Sequence, residues 1–98
     1  MCVSGLGPGY LAEWYRGDLT EEVVGAMVSA LTSATGPTSG AGAAVRLVAV
    51  FAVPSDEVVY GLFTAASVQA ITDACGSASM PPDRLTGDIG AWVAKVGP

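Results

Sequence analysis

The sequence contains no histidine. That absence removes the Ser-His-Asp and Cys-His relays of nucleophilic enzymes, which need an imidazole base. It also removes the ligand that best suits borderline metals such as nickel and zinc. Cations are scarce as well: four against nine acids, for a net charge of −5. Arg16, Arg46, Arg84 and Lys95 are scattered, so no basic patch is available to neutralise phosphates and no cationic helix to lie on lipid. Nucleic acid and membrane are therefore not expected partners. No apolar run approaches the roughly 20 residues of a bilayer span. Met1 to Tyr10 lacks the cationic start of a secretory leader, and the expected location is the cytoplasm. Cys2 and Cys75 are too few for a disulfide framework. Walker and metal-ligand patterns are missing too, and no cofactor is expected.

What the chain does have is small apolar residues. Its 98 residues suit one domain, and half of them are hydrophobic, mostly Ala and Val, with only seven aromatics. At roughly 25 cal/mol per Å² of buried apolar surface, such side chains make a modest core. Burial of a further face against a second subunit would add to it.

Patterning gives the order of elements. Residues 1–9, with Gly5, Gly7, Pro8 and Gly9, read as an irregular lead-in. A single domain is expected over 10–93, followed by a tail at 94–98. Tyr10 to Arg16 reads as the first strand. Asp18 and Thr20 compete to cap a helix whose Val23, Met27, Ala30, Leu31 and Ala34 recur at helical spacing. Gly25 weakens that helix by roughly 1 kcal/mol relative to alanine, and suggests close approach to a strand. Thr35 to Ala43 reads as a mobile loop. Val45 to Val53 is a nearly unbroken apolar strand with Arg46 its only charge. Pro54 sets a type I turn over Val53 to Asp56, and Glu57 to Phe63 returns as the next strand. Ser67 caps a second helix with Val68, Ile71 and Cys75 on one face, and Gly76 is expected to stop it. A buried Cys75 simply packs, while Cys2 falls in the lead-in. Met80-Pro81-Pro82-Asp83 breaks the chain before a strand from Arg84, and Gly87 to Pro98 reads equally as a helical turn or an extended arm.

The order β-α-β-β-α-β with a central hairpin implies a ferredoxin-like α+β sandwich: an antiparallel sheet with two helices on one face. Strands this apolar leave the other face wanting cover. A second copy packed sheet to sheet, as in a dimeric α+β barrel, is the expected answer.

Four segments carry a resemblance. Tyr10-Leu11-Ala12-Glu13, Leu19-Thr20-Glu21-Glu22, Val53-Pro54-Ser55-Asp56-Glu57-Val58-Val59-Tyr60 and Met80-Pro81-Pro82-Asp83-Arg84-Leu85 together resemble a family of small bacterial ferredoxin-like proteins, long labelled a domain of unknown function, that includes nickel-binding members. The resemblance spans about three quarters of the chain. It implies a ferredoxin-like homodimer and raises metal binding. Without histidine, a nickel site here would have to draw on Glu13, other acids or Cys75.

Five residues are candidates for chemistry. Glu13 lies in an otherwise apolar strand, on one face with Leu11 and Tyr15, and is the candidate acid/base. Its plain alternative is a structural acid paired with Arg46 or Arg16. Arg46, on the side of Val48 and Val50, is a candidate clamp for an anion. Tyr15, Tyr60 and Trp14 are candidate ligand-lining aromatics, although alternation places Trp14 and Tyr15 on opposite faces. The resulting expectation is a small homodimeric domain that binds a small organic molecule in a mostly apolar, aromatic-lined pocket. Cofactor-independent acid/base chemistry by Glu13 is left open. One alternative is a non-catalytic scaffold or partner-binding module. The other is nickel binding as in the relatives, which the lack of histidine disfavours.

Overall fold

The structure, a computed structural model, describes residues 3–35 and 45–94. Strand β1 spans Val3–Tyr15, helix α1 Glu21–Ala34, strand β2 Val45–Val53, strand β3 Val58–Ala65, helix α2 Val68–Ser77 and strand β4 Arg84–Ala94. A short 3-10 turn over Pro54–Asp56 joins β2 to β3, with Glu57 in the left-handed region at φ 54°. The four strands form one antiparallel sheet in the order β2-β3-β1-β4. Both helices contribute to the core on one face of it. This is the ferredoxin-like α+β arrangement.

Local chemistry accounts for the helices. Thr20, not Asp18, caps α1: its Oγ1 accepts the Val23 N–H at 3.2 Å. Asp18 is occupied by Arg16, whose Nε lies 2.9 Å from it. Glu21 and Glu22 sit in the first turn, where carboxylates favour the positive end of the helix dipole. Ser67 caps α2 in the same way, accepting from Ala70 N–H at 3.2 Å. Gly76 does not end α2. The helix continues to Ser77 and closes where Ser79 turns left-handed at φ 57°. There Ser79 N–H donates to the Gly76 carbonyl and Met80 N–H to that of Cys75. Gly25 gives no close approach either, since an added Cβ would meet nothing within 4 Å.

The core lies between sheet and helices. Met27 and Leu31 of α1 and Ile71, Ala74 and Cys75 of α2 pack against Ala12, Trp14, Val59 and Phe63 of the central strands. Burial pushes the Cys75 thiol up to about 11, because nothing in an apolar interior solvates a thiolate. That thiol packs. Cys2, Lys95 and the segment from Gly36 to Ala44 lie outside the described residues.

Both ends of the sheet depart from expectation. The stretch read as an irregular lead-in is strand from Val3 onward, with Val3 opposite Ala94 and Pro8 opposite Gly90. The ambiguous stretch after Gly87 is strand as far as Ala94. Register shifts between Gly5 and Pro8 and between Gly9 and Leu11 absorb the glycines and the proline. Pairing with β3 covers only Tyr10 to Tyr15, so Pro8 sits where β1 has a single neighbour, the kind of edge position and irregular register in which sheets tolerate proline. In β2 a bulge falls between Leu47 and Ala49. It explains why this strand barely alternates in sequence: Leu47 opposes Phe63 on the helix side, whereas Ala49 opposes Leu62 on the other face.

Candidate functional site

The open face of the sheet carries the side chains that point away from the helices. Register sets one row across all four strands: Phe51 opposite Tyr60, Tyr60 opposite Glu13, and Glu13 opposite Arg84. Tyr15 lies two residues along β1 and shares that face. Around the row are Leu11, Leu62, Val53 and the buried Val58, so its surroundings are mostly apolar, with Arg84 at the β4 end and Arg46, Thr64 and Thr86 farther along the same face. Tyr15 and Phe51 are 53% and 57% exposed, a large aromatic area for the open side of a small domain.

Glu13 is the polar centre. Its side chain keeps only 13% of its surface exposed. Tyr15 Oη donates to Glu13 Oε1 at 3.0 Å, and Arg84 Nε stands 3.6 Å from Oε2. The acid pairs with Arg84 rather than with Arg46 or Arg16. Arg84 is 67% exposed, so this ion pair contributes well under about 1 kcal/mol, and its main effect is to orient the carboxylate. The hydrogen bond to Glu13, reinforced by partial desolvation and the carboxylate charge, raises the Tyr15 phenol above the ordinary tyrosine value.

A prediction follows for that pair. In a spectrophotometric titration Glu13→Leu should lower the Tyr15 phenol towards the ordinary tyrosine value. Because the raised group holds its proton longer in the folded state, its linkage to folding favours the native chain below the ordinary tyrosine pKa. That contribution fades as pH climbs through the phenol range. A phenol titration curve that Glu13→Leu leaves unchanged would refute the assignment.

The segment from Met80 to Asp83 holds the row in place. Met80 O accepts the Trp14 Nε1–H at 2.9 Å. Asp83 N–H donates to the Glu13 carbonyl, and Asp83 Oδ2 accepts the Tyr15 N–H, both at 2.8 Å. Two segments far apart in sequence, Tyr10 to Glu13 and Met80 to Leu85, are thus joined around one carboxylate. Asp83 and Arg84 were not among the expected site residues. Only the β1–β4 register reveals them, and the one cue in the sequence was an acid and a base directly after Pro81-Pro82.

The other candidates separate. Trp14 belongs to the core on the helix side, 5% exposed, and does not share the face of Tyr15. Arg46 is exposed and opposes Thr64, four residues along β3 from Tyr60, about 13 Å at strand spacing. The bulge also takes it off the side of Val50. It lines a separate shallow hollow of ≈ 280 Å³ with Leu47, Val48 and Thr64. On the helix side, a more apolar groove of ≈ 510 Å³ runs between the start of α1 and the end of β2, lined by Leu19, Val24, Gly25, Ala52 and Pro54 among others.

Metal chemistry finds little support in this donor set. Glu13 and Cys75 lie on opposite sides of the sheet. Among the described residues no three of His, Cys, Asp and Glu come together as a ligand group. No described helix is long and apolar enough to cross a membrane.

Comparison with known protein families and with curated protein sequences finds no match. Among solved structures, the chain is similar to the crystal structure of SCO4226 from Streptomyces coelicolor A3(2), with a TM-score of 0.60 at 15% identity over 79% of this chain and 90% of that one. At that identity the likeness is one of fold: a small ferredoxin-like α+β domain.

Proposed function

We propose that the chain works as a homodimer whose open sheet faces meet and enclose a site for a small, flat, largely apolar molecule. In this reading Glu13 accepts a hydrogen bond from the ligand and serves as its acid/base group, Tyr15 and Tyr60 line the site, and Arg84 orients the carboxylate. One observation carries it. A single oriented, mostly buried carboxylate stands in the middle of the apolar, aromatic sheet face opposite the two helices. Apolar surface of this kind gains from removal from water, and a carboxylate retained within it has hydrogen-bond capacity left for a donor on a ligand. The resemblance of the four segments to the nickel-binding family is in keeping with the dimer more than with the metal.

Light scattering on the purified chain tests the assembly, and a chain that stays monomeric at tens of micromolar sinks the proposal. For the ligand, 1-naphthol and 1-naphthoate are informative probes because they share a ring system and differ in donor against anion. The neutral donor should bind more tightly, and Glu13→Gln should reduce that preference. The same exposed rings fit a second reading, a non-catalytic interaction module, and binding of neither probe to a confirmed dimer selects it.

A further inference from the structure

The groove between the start of α1 and the end of β2 holds ≈ 510 Å³, inside the roughly 300–1,000 Å³ of small-molecule sites. Leu19 and Val24 line it where they pack against the core, and Ala52 and Pro54 line it from the strand. Ala52 opposes the fully buried Val59 and so lies on the helix face. It is nevertheless exposed, so no side chain of α1 closes over it. The residue that α1 brings to the groove beside Val24 is Gly25. A glycine inside a helix is a cost that alanine avoids. Nothing local calls for it here: the backbone is ordinary helix, and an added Cβ would meet nothing within 4 Å. What the missing side chain leaves is the width of the groove.

We propose that this groove binds a small organic cation, an apolar alkyl or aryl body carrying an ammonium group. The body lies against Val24, Gly25 and Ala52, and the ammonium meets the Glu21 carboxylate. Glu21 is the one charged residue among the groove's described lining, and it takes part in neither described ion pair. Thr20, the other polar residue there, has its Oγ1 engaged in the α1 cap.

Charge decides between a cation and an anion. The positive end of the α1 dipole would favour an anion, but Glu21 and Glu22 already answer it. Asp56 lies two residues beyond Pro54, and Arg16, the nearest cation in sequence, is held by Asp18 at 2.9 Å. A chain of net charge −5 draws cations and repels anions at longer range as well.

The groove and Glu13 lie on opposite sides of the sheet, so this site and the open-face site can fail separately. Calorimetry and amide NMR on the full chain test the groove with three probes: 1-naphthylmethylammonium, 1-naphthalenemethanol and 1-naphthoate. They share a ring system and differ in charge. The ammonium should bind about threefold or more tightly than the alcohol, as expected for one exposed charge pair, and the carboxylate weakest. Its amide shifts should centre on Val24, Gly25 and Ala52, and Glu21→Gln should erase the preference for the ammonium. Gly25→Leu fills the groove and should weaken the ammonium by about tenfold, while 1-naphthol binding at Glu13 stays as it was. Gly25→Ala guards against misfolding as the cause. It should raise the melting temperature by roughly 4–8 °C through helix propensity and still weaken the ammonium. No binding of the ammonium at millimolar concentration, shifts centred on Glu13 and Tyr60, or an affinity that Gly25→Leu leaves unchanged would each overturn the site.

Discussion

Phe63→Ala should destabilise the domain by about 3–5 kcal/mol, the usual cost of emptying a buried phenylalanine site. Phe63 is fully buried and is the largest side chain in that condition. It lies on β3, between strands β2 and β1, opposite Leu47 and Tyr10. Its core partners are mostly Ala, Val, Leu and Ile, short side chains that do not reach across to refill the space. A domain of this size holds roughly 5–15 kcal/mol in total, so the variant should be near the limit of folding at room temperature. Urea unfolding at a concentration where the chain is monomeric measures the loss. Phe51→Ala is the matched control. The residue type is the same, but Phe51 is 57% exposed, and its removal should cost well under about 1 kcal/mol, as for most surface changes. Equal losses at the two positions would contradict the assignment of inner and outer faces.

The same contrast shows what the chain reveals before folding. Elements defined by nearest-neighbour chemistry were legible: the Ser67 cap, Thr20 as one of two competing caps for α1, the helical spacing of Met27 and Leu31, and β2 from Val45 to Val53. Elements defined by a neighbouring strand were not. Val3 to Gly9 is rich in glycine and has no strand propensity of its own, and it is extended because β4 supplies hydrogen-bond partners. The bulge at Val48 leaves no mark in a run of uniformly apolar residues, yet it decides which side Arg46 occupies. Among the site residues, Glu13, Tyr15 and Tyr60 were legible as an acid and two aromatics at alternating positions. That Arg84 and Asp83 complete the group depends on a contact across about seventy residues, which no local pattern encodes. Trp14 was misleading because an indole suits a ligand pocket and a core equally well, and only the hydrogen bond to Met80 shows which role it has.

Gly61→Ala should destabilise the chain although alanine is otherwise the better residue inside a strand, by roughly 0.5–1 kcal/mol. Gly61 is buried on the helix side of β3, opposite Ala12 and Val50. A Cβ built there would stand 2.9 Å from Trp14 Cζ3 and 3.1 Å from Phe63 Cε1, well inside carbon contact distance. Neither ring yields easily. The Trp14 indole is 5% exposed and its Nε1–H is fixed on the Met80 carbonyl at 2.9 Å, while Phe63 is enclosed on all sides. Overpacking of this kind costs typically about 1–3 kcal/mol, which exceeds the propensity gain, so a net loss of about 1–2 kcal/mol is expected. At roughly 4–8 °C per kcal/mol for a chain of this length, a thermal melt resolves it. The cause is tested with Trp14→Phe, which removes the indole atoms nearest the new methyl and also leaves Met80 O without its donor. Each single variant should be destabilised, and the double variant less than additively, with a coupling of about 1 kcal/mol or more, as for residues in direct contact. Additivity within about 0.5 kcal/mol would mean that the glycine is not there to admit the indole. A coupled result would make Gly61 the residue that lets Trp14 lie flat against β3 and hold Met80, and through Met80 the Asp83 and Arg84 that orient Glu13 on the far side of the sheet.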